Sequence, residues 1–338
     1  MIRVGIRVPV GRPIPEVAAF IARCEEAGFD GVGVHDHHHT GRDVYVTLAV
    51  AALQTTRMAL YPVTSNTVTR DPLVLAALAN SLWELAPGRI LLSLAPGFLS
   101  VEKAGREQAG LEQVKAAVAV VRSLLAGQEV PVNGKAVRLT NVPGRPPKIL
   151  LLASGPRLLE AAGEVADGVM TLTGLHPAAV ARARDHLRRG ALRAGRDPAG
   201  LDEVFVVPFA VGTMADTAEW PRGYFRPGRP WLSYPSATKR LWLREAGIAL
   251  PADAAPEAIS APVARQICDA LGLFGPAEYC AERLLRAAEE TGLRDVFLFP
   301  EHTFQTGYDL PAAEVDAFRD VIKPILMKSG HERNGDRR

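Results

Sequence analysis

The segment RMALYPVTSNTVTRDPLVLAALANSLWELAPGRILLSLAPG, residues 57–97, decides the fold of this chain. It contains an apolar run, a polar loop, an apolar segment of helical length, a Pro-Gly-Arg turn and a second apolar run. This order predicts a β-loop-α-turn-β unit. In parallel α/β proteins, ligands bind at the loops that follow the carboxyl ends of the strands. The loops at 64–67 and 95–97 are small, polar or glycine-bearing, and they mark the expected site.

Strand and helix patterns alternate along the rest of the chain, which is typical of a parallel α/β fold. An open doubly wound sheet would show the same alternation, but it usually has fewer strands and a glycine-rich first turn. Residues 9–13, PVGRP, do not form such a turn. The pattern therefore predicts an α/β fold of the (β/α)8 TIM-barrel type. The eight expected strands are residues 4–8, 31–35, 58–63, 90–94, 149–152, 168–172, 204–211 and 295–299.

Two stretches interrupt the alternation. Residues 127–147 have a Val-rich pattern with a central glycine and predict a small hairpin. Residues from about 214 to 275, after the seventh strand, are rich in Pro, Trp and Tyr. A long connection in a compact domain usually has a function, so we expect this insertion to lie over the barrel mouth as a lid or substrate wall. A dimer contact or a small core of its own is the alternative. We expect residues 1–330 to form one domain and 331–338 a disordered tail.

Composition narrows the class of protein. The 338 residues carry a formal net charge of only +2, which gives no general attraction to nucleic acid or to an anionic membrane. No apolar segment approaches the ~20 residues of a membrane span, and the N-terminus lacks the apolar core of a signal peptide. Cys24, Cys268 and Cys280 form no CxxC pair, which favours buried thiols in a reducing compartment. We expect a cytoplasmic protein that acts on a small molecule.

The sequence His-Asp-His-His-His at residues 35–39 follows the second strand. Such residues can bind a metal ion, but neighbours in an extended segment point in alternating directions and no second histidine cluster exists. We therefore predict no metal site. A histidine at the barrel mouth could instead act as a general acid or base, or donate a hydrogen bond to a bound ring. For His38 and His39 a solvated loop is the favoured interpretation.

A second candidate site follows the fifth strand. Ala153, Ser154 and Gly155 precede a helix that begins at Pro156, and small residues there leave backbone N–H groups available to an anion. Residues 171–174, Thr-Leu-Thr-Gly, follow the sixth strand and could complete a phosphate site. An ordinary N-terminal serine cap is the alternative. The chain has no Ser-His-Asp or Walker motif, and no lysine follows a strand, so a hydrolase or an aldolase is not indicated.

Four collinear motifs resemble the bacterial luciferase-like flavin and deazaflavin oxidoreductases, particularly the branch that contains methylenetetrahydromethanopterin reductase. They are EEAGFDGVGVHDHH (25–38), SNTVTRDPLVLAALANSLWELAPGRILLSLAPG (65–97), ASGPRLLEAAGEVADGV (153–169) and FGPAEYCAERLLRAAEETGLRDVFLF (274–299). The resemblance implies a barrel that binds FMN or coenzyme F420 at its carboxyl mouth, and it favours a homodimer. It also implies a non-prolyl cis peptide bond within residues 63–65. Phe98 stands where some deazaflavin dehydrogenases carry a catalytic glutamate, which argues against a sugar-phosphate dehydrogenase.

Taken with the resemblance, the sequence predicts an F420-dependent oxidoreductase that transfers hydride between the deazaflavin C5 and a small organic substrate. His37 is the expected donor or acceptor of the accompanying proton. An FMN-dependent monooxygenase and a cofactor-free binding or regulatory barrel are the alternatives. The expected cofactor contacts are Asp36, Val63, Thr64, Ser65, Asn66, Ala95, Gly97, Ala153, Ser154, Gly155 and Thr171.

Overall fold

The computed structural model describes residues 1–132, 134–142, 144–224, 237–251, 258–302 and 306–335. Its central element is a sheet of parallel strands that curls into a barrel, as the alternating pattern predicts. The strands follow one another around the barrel in the order β3-β2-β1-β8-β7-β6-β5-β4. These strands are β1 (Arg3–Val8), β2 (Gly31–Val34), β3 (Ala59–Pro62), β4 (Leu91–Ala95), β5 (Lys148–Leu152), β6 (Gly168–Thr171), β7 (Asp202–Val211) and β8 (Asp295–Pro300).

The barrel is nearly closed. Leu60 in β3 bridges Ile90, which immediately precedes β4, and the N–H of Leu60 donates to the carbonyl oxygen of Arg89 at 2.8 Å. Further along, Ser65–Asn66 forms a short strand paired with Leu94 and Ala95. These contacts join the two ends of the sheet, so the carboxyl ends of all eight strands surround a single mouth.

Large side chains from a few strands fill the barrel interior, because neighbouring strands carry glycine. Tyr61 and Phe297 are buried there with Leu150, Met170 and Val206. A Cβ atom on Gly5 would lie 2.8 Å from the Tyr61 hydroxyl and 3.2 Å from the Phe297 ring. The absence of a side chain on β1 therefore makes room for two aromatic rings from β3 and β8.

Helices cover the outside of the barrel and begin where the sequence provides caps. At the helix that begins at Val44, the Asp43 carboxylate accepts from the N–H of Tyr45 at 2.8 Å. At the helix that begins at Pro72, the Asp71 carboxylate accepts from the N–H of Leu73 at 2.8 Å. The helices between the strands are Ile14–Glu26, Val44–Gln54, Pro72–Leu85, Leu99–Lys103, Leu111–Leu125, Pro156–Val165, Pro177–Arg193 and Ala277–Thr291. Residues Val130–Val132 and Lys135–Val137 form the expected antiparallel hairpin.

The chain after β8 contains elements that the sequence analysis did not predict. It forms the helices Ala312–Ala317 and Lys323–Gly335, joined by a π-helical turn at Phe318–Ile322. Apolar contact anchors this turn, because the Phe318 ring stacks on that of Phe29 with 3.9 Å between centroids. Of the predicted tail, residues 336–338 lie outside the described ranges.

The insertion after β7 is helical where it is described. Its helices are Met214–Ala218, Trp220–Tyr224, Ala237–Glu245 and Ala261–Leu271, and the short strand Leu273–Gly275 pairs with β7. The insertion has a small core of its own, formed by Trp220, Leu243, Ile267 and Phe274. Such a core was one of the alternatives to a lid, and the structure confirms it. Phe225, Trp231 and Tyr234, which the prediction of a lid included, lie outside the described residues.

The three cysteines are buried free thiols, as predicted. Among the helices of the described ranges, none is long and apolar enough to cross a membrane.

Candidate active site

The predicted site residues lie at the same end of the barrel. Residues 35–37 follow β2, 63–66 follow β3, and 153–155 follow β5. Ala95 ends β4 and is followed by residues 96–97, and Thr171 ends β6. Because all eight strands are parallel, these loops form parts of one ring around the mouth. The structure therefore brings the predicted segments together at one end of the barrel.

The loop after β3 contains the implied non-prolyl cis peptide bond, between Val63 and Thr64. The neighbouring strand leaves space for this turn. A Cβ atom on Gly33 would lie only 2.0 Å from Cγ2 of Val63 and 2.8 Å from the Phe297 ring. Glycine in β2 thus allows the β3 loop to enter the mouth beside the interior cluster.

Asp36 is the centre of a buried polar network. Its carboxylate accepts from the Ser65 hydroxyl at 2.7 Å and from both Nε and Nη2 of Arg70, at 3.2 and 3.0 Å. Arg70 also donates to Asp43 at 2.8 Å, and the Tyr45 hydroxyl lies 2.9 Å from that of Ser65. Burial alone would lower the pKa of Arg70, but its hydrogen bonds and charge interactions with Asp36 and Asp43 raise it above the ordinary value.

Two of the predicted cofactor contacts, Asp36 and Ser65, belong to this network. Their side chains are bonded to each other and to the protein. They hold the β2 and β3 loops against the helix that begins at Val44, so Asp36 fixes the shape of the mouth.

Asn66 is likewise engaged within the protein. Its Nδ2 donates to the Ser100 hydroxyl at 3.1 Å, and its Oδ1 accepts from the N–H groups of Val68 and Thr69 at 3.1 and 2.9 Å. Beside it, Gly97 has a φ of +92°, and a Cβ atom there would lie 2.2 Å from Cγ2 of Val101. These residues shape the β3 and β4 loops and leave the Phe98 ring 41% exposed at the rim.

Two histidines after β2 line the interior of the mouth. His35 is buried, and its ring lies 4.6 Å from that of His37. Nδ1 of His37 is 2.9 Å from the Tyr308 hydroxyl. Burial, together with neighbouring His39 and Arg7, lowers the pKa of His37 to about 3, and burial holds that of His35 well below its ordinary value. Both rings are therefore neutral at neutral pH.

Sequence reasoning missed the contribution of β1 and β8. Arg7 is buried in β1, its Nη1 lies 3.0 Å from Nδ1 of His302, and its guanidinium lies over the Phe299 ring at 4.7 Å. Burial lowers the pKa of Arg7 to about 10. The signal was present in the sequence, because a single arginine interrupts the otherwise apolar run VGIRV. His302 and Tyr308 follow β8 in a stretch without a recognisable motif.

The insertion contacts the loops after β5 and β6. Trp242 is fully buried and donates from Nε1 to the carbonyl oxygen of Ser154 at 2.8 Å. Lys239 donates to the carbonyl oxygen of Leu172 at 3.1 Å. Burial lowers the pKa of this lysine to about 8. The sequence analysis considered only lysines that directly follow a strand, whereas Lys239 reaches the β6 loop from a helix of the insertion.

The β5 and β6 ends carry polar groups without partners among the described residues. The helix Pro156–Val165 has Gly155 at its N-cap position and therefore no side-chain cap. The hydroxyls of Thr171 and Thr173 are buried and make no hydrogen bond. Nδ1 of His35, after β2, is likewise buried without a hydrogen bond. Met170 and Leu172 belong to the interior cluster, so by alternation Thr171 points toward the helix layer. An oxygen-rich anion at this helix start would satisfy the hydroxyl and the N–H groups together.

The histidine-rich segment does not converge on an ion. His38 bonds to Thr69 through Nε2 at 2.9 Å, and its Nδ1 lies 3.3 Å from Asp36. Within the part of the chain that the structure describes, no three His, Cys, Asp or Glu side chains are arranged to hold a metal ion.

The chain is similar to known proteins in sequence and in fold. A family model described as luciferase-like monooxygenase matches residues 1–295. The 5,10-methylenetetrahydromethanopterin reductase of Methanolobus tindarius is 33% identical over 226 residues, which are 64% of this chain and 67% of that protein. Two further curated relatives are matched over 62% and 66% of their length.

Two solved structures show the same fold. The coenzyme F420 dependent tetrahydromethanopterin reductase of Methanopyrus kandleri has a TM-score of 0.73 at 20% identity, covering 96% of this chain and 99% of that one. The oxygenating constituent of 3,6-diketocamphane monooxygenase from Pseudomonas putida, in complex with FMN, has a TM-score of 0.69 at 18% identity, covering 97% and 98%. The (β/α)8 barrel is thereby confirmed.

Proposed function

Because the chain belongs to the luciferase-like monooxygenase family, we propose that it is an oxidoreductase that binds coenzyme F420 at its carboxyl mouth. It exchanges hydride between C5 of the deazaflavin and a small organic substrate. The observation that carries this proposal is the set of buried polar atoms without hydrogen bonds at the mouth: Nδ1 of His35 and the hydroxyls of Thr171 and Thr173. Buried polar groups are normally bonded, so these atoms indicate a polar ligand.

The residues fit a deazaflavin with a phosphate-bearing tail. The tail phosphate would bind at the uncapped start of the helix Pro156–Val165, with the Thr171 hydroxyl beside it. The ring would lie over the apolar interior between His35 and the β3 loop. The cofactor supplies the hydride chemistry, and the protein supplies orientation and a site that excludes water.

His37 is positioned to exchange the proton that accompanies hydride transfer. Tyr308 engages its Nδ1, which leaves Nε2 as the ring nitrogen for a substrate heteroatom. With a pKa lowered to about 3 by burial, His37 is neutral at physiological pH. It is therefore suited to passing a proton through its two nitrogens, and poorly suited to storing one as an imidazolium.

Sequence relatives favour F420 over FMN, whereas the shared fold accommodates both cofactors. Anaerobic titration of the purified protein with F420 and, separately, with FMN distinguishes them. We expect saturable F420 binding at micromolar concentrations. Tight FMN binding without F420 binding would support an FMN-dependent monooxygenase instead, and binding of neither would support a cofactor-free barrel.

The variant Thr171→Val tests the phosphate site. Valine keeps the volume of the side chain and removes the hydroxyl that has no partner. We expect cofactor affinity to fall roughly tenfold, equivalent to one hydrogen bond of about 1.4 kcal/mol. The cofactor-free protein should be as stable as wild type or slightly more so, because a buried unsatisfied group is lost. Affinity and stability that fall together would contradict a ligand role for this hydroxyl.

A further inference from the structure

A chain of hydrogen-bonding side chains leads from the barrel interior to solvent. The hydroxyl of Tyr308 lies 2.9 Å from Nδ1 of His37 and 2.9 Å from Nε2 of His39. His39 is exposed, whereas His37 is partly buried and its ring contacts that of buried His35. The Tyr308 ring meets both imidazoles edge-on, at 73° to His37 and 78° to His39.

We propose that Tyr308 relays the proton of the reaction between His37 and solvent-exposed His39. It is a positioning residue, since it acts on the substrate only through His37. The inference rests on the proposed function for the need to move a proton, because each hydride transferred to or from a neutral substrate is accompanied by one proton. A mouth that excludes water requires a route for that proton.

The transfer balances without a stored charge on His37. As Nε2 of His37 takes a proton from the substrate heteroatom, its Nδ1 gives one to the Tyr308 oxygen. The original O–H proton of Tyr308 passes to Nε2 of His39, and the Nδ1 proton of His39 leaves to water. Each group ends with the number of protons it began with, and the direction reverses for substrate protonation. One heteroatom–hydrogen bond breaks and one hydronium forms.

The surroundings of His37, Tyr308 and His39 favour the neutral forms of their side chains. Burial raises the pKa of Tyr308, and burial with neighbouring Lys103 and His38 lowers that of His39. Arg7 lies near the inner end, at His302, and adds positive potential that disfavours a charged His37. The three side chains are therefore uncharged at rest, which suits a concerted shift of protons.

The loop after β1 packs closely against the backbone of Tyr308. A Cβ atom on Gly11, in the loop after β1, would lie 2.0 Å from the carbonyl oxygen of Tyr308 and 2.5 Å from its Cβ. Glycine at this position lets the segment after β8 come close enough for the hydroxyl to reach both histidines. The contact between the β1 loop and the segment after β8 thus sets the geometry of the relay.

Proton exchange at the His37 ring tests the relay without any substrate. In the full chain labelled with ¹⁵N-histidine, NMR measures how fast the His37 ring N–H exchanges with water, with and without F420. We expect Tyr308→Phe to slow this exchange roughly tenfold or more. His39→Asn, a change at an exposed residue, should slow it similarly, and added imidazole buffer should restore the rate in that variant.

The sign of the effect separates a relay from a merely structural contact. If the Tyr308 hydroxyl only held the ring, its loss would expose the N–H and accelerate exchange. Tyr279→Phe is the matched control, because its hydroxyl donates to Asp269 at 2.8 Å outside the mouth. Exchange that is unchanged or faster in both Tyr308→Phe and His39→Asn would overturn the relay. Absence of F420 binding would overturn the proposed function and leave this measurement interpretable.

Discussion

At the scale of single residues, Asp36 illustrates how a buried charge organises the mouth. Its side chain is 1% exposed and is paired with Arg70, whose second carboxylate partner is Asp43. Removal of Asp36 leaves Arg70 partly buried with one partner. We expect Asp36→Ala to lower the free energy of unfolding by about 3 kcal/mol, measured by urea denaturation.

The double variant and a surface pair control this prediction. Arg70→Met on the Asp36→Ala background removes the guanidinium that has lost its buried partner and keeps only Asp43, and it should recover part of the lost stability. Asp316→Ala breaks a half-exposed ion pair with Arg23 and should cost no more than about 1 kcal/mol. An equal loss in Asp36→Ala and Asp316→Ala would show that burial of the first pair has no energetic consequence.

Residue identity in the sequence predicts which loops carry the candidate site, but not which side chains bond to one another. Asp36, Ser65 and Asn66 are predicted cofactor contacts, and in the structure all three side chains have partners within the protein. Their partners Arg70 and Ser100 lie 34 residues away. No local pattern reports such pairings, because they depend on how the β2, β3 and β4 loops meet.

At the scale of secondary-structure elements, glycine in β2 determines how β3 ends. Gly33→Ala would place a methyl group 2.0 Å from Cγ2 of Val63, so the β3 loop must move. We expect a loss of about 2 kcal/mol in the free energy of unfolding and weaker F420 binding. Gly200→Ala, where nothing lies within 4 Å, should change stability by less than about 0.5 kcal/mol.

Thermal and chemical denaturation of the two alanine variants, with F420 titration of each, checks this prediction. Equal effects of the two substitutions would mean that loss of backbone flexibility, rather than the contact with Val63, governs the Gly33 position.

Strands and long helices were predictable because their periods are regular. The helix Pro156–Val165, for example, begins at the predicted residue. The helix Leu99–Lys103 has only five residues and provides too few repeats to show a period. The helices at 312–335 do have an apolar repeat, at Val315, Phe318, Ile322 and Leu326, which the sequence interpretation overlooked.

At the scale of the whole molecule, closure of the barrel brings together residues that no motif connects. Arg7 from β1 meets His302 after β8 because these strands are neighbours in the barrel and are almost 300 residues apart in the chain. Lys239 reaches the β6 loop from the insertion. The sequence therefore predicts the side of the molecule that carries the site, whereas these two cations are found only in the folded structure.

Acid should destabilise the folded protein through the neutral histidines of the mouth. In the unfolded chain a histidine titrates near its ordinary pKa of 6.5, whereas burial lowers the pKa of His37 to about 3 and holds that of His35 well below 6.5. Between these values the unfolded state binds protons that the folded state does not. The free energy of unfolding therefore falls as the pH drops from 6.5 towards 3. The fall is about 2 kcal/mol for His37 between pH 7 and pH 5, and His35 adds to it in the same direction.

Urea denaturation of wild type and variants at these two pH values measures this effect. His37→Asn removes one of these groups, so the loss of stability on acidification should be smaller than that of wild type by about 2 kcal/mol. His39→Asn is the comparison variant, because exposed His39 is better solvated than His37 and its replacement should remove less of the loss. A loss in His37→Asn as large as in wild type would mean that His37 takes up a proton in the folded state. That result would also contradict the neutral ring through which the proposed relay operates.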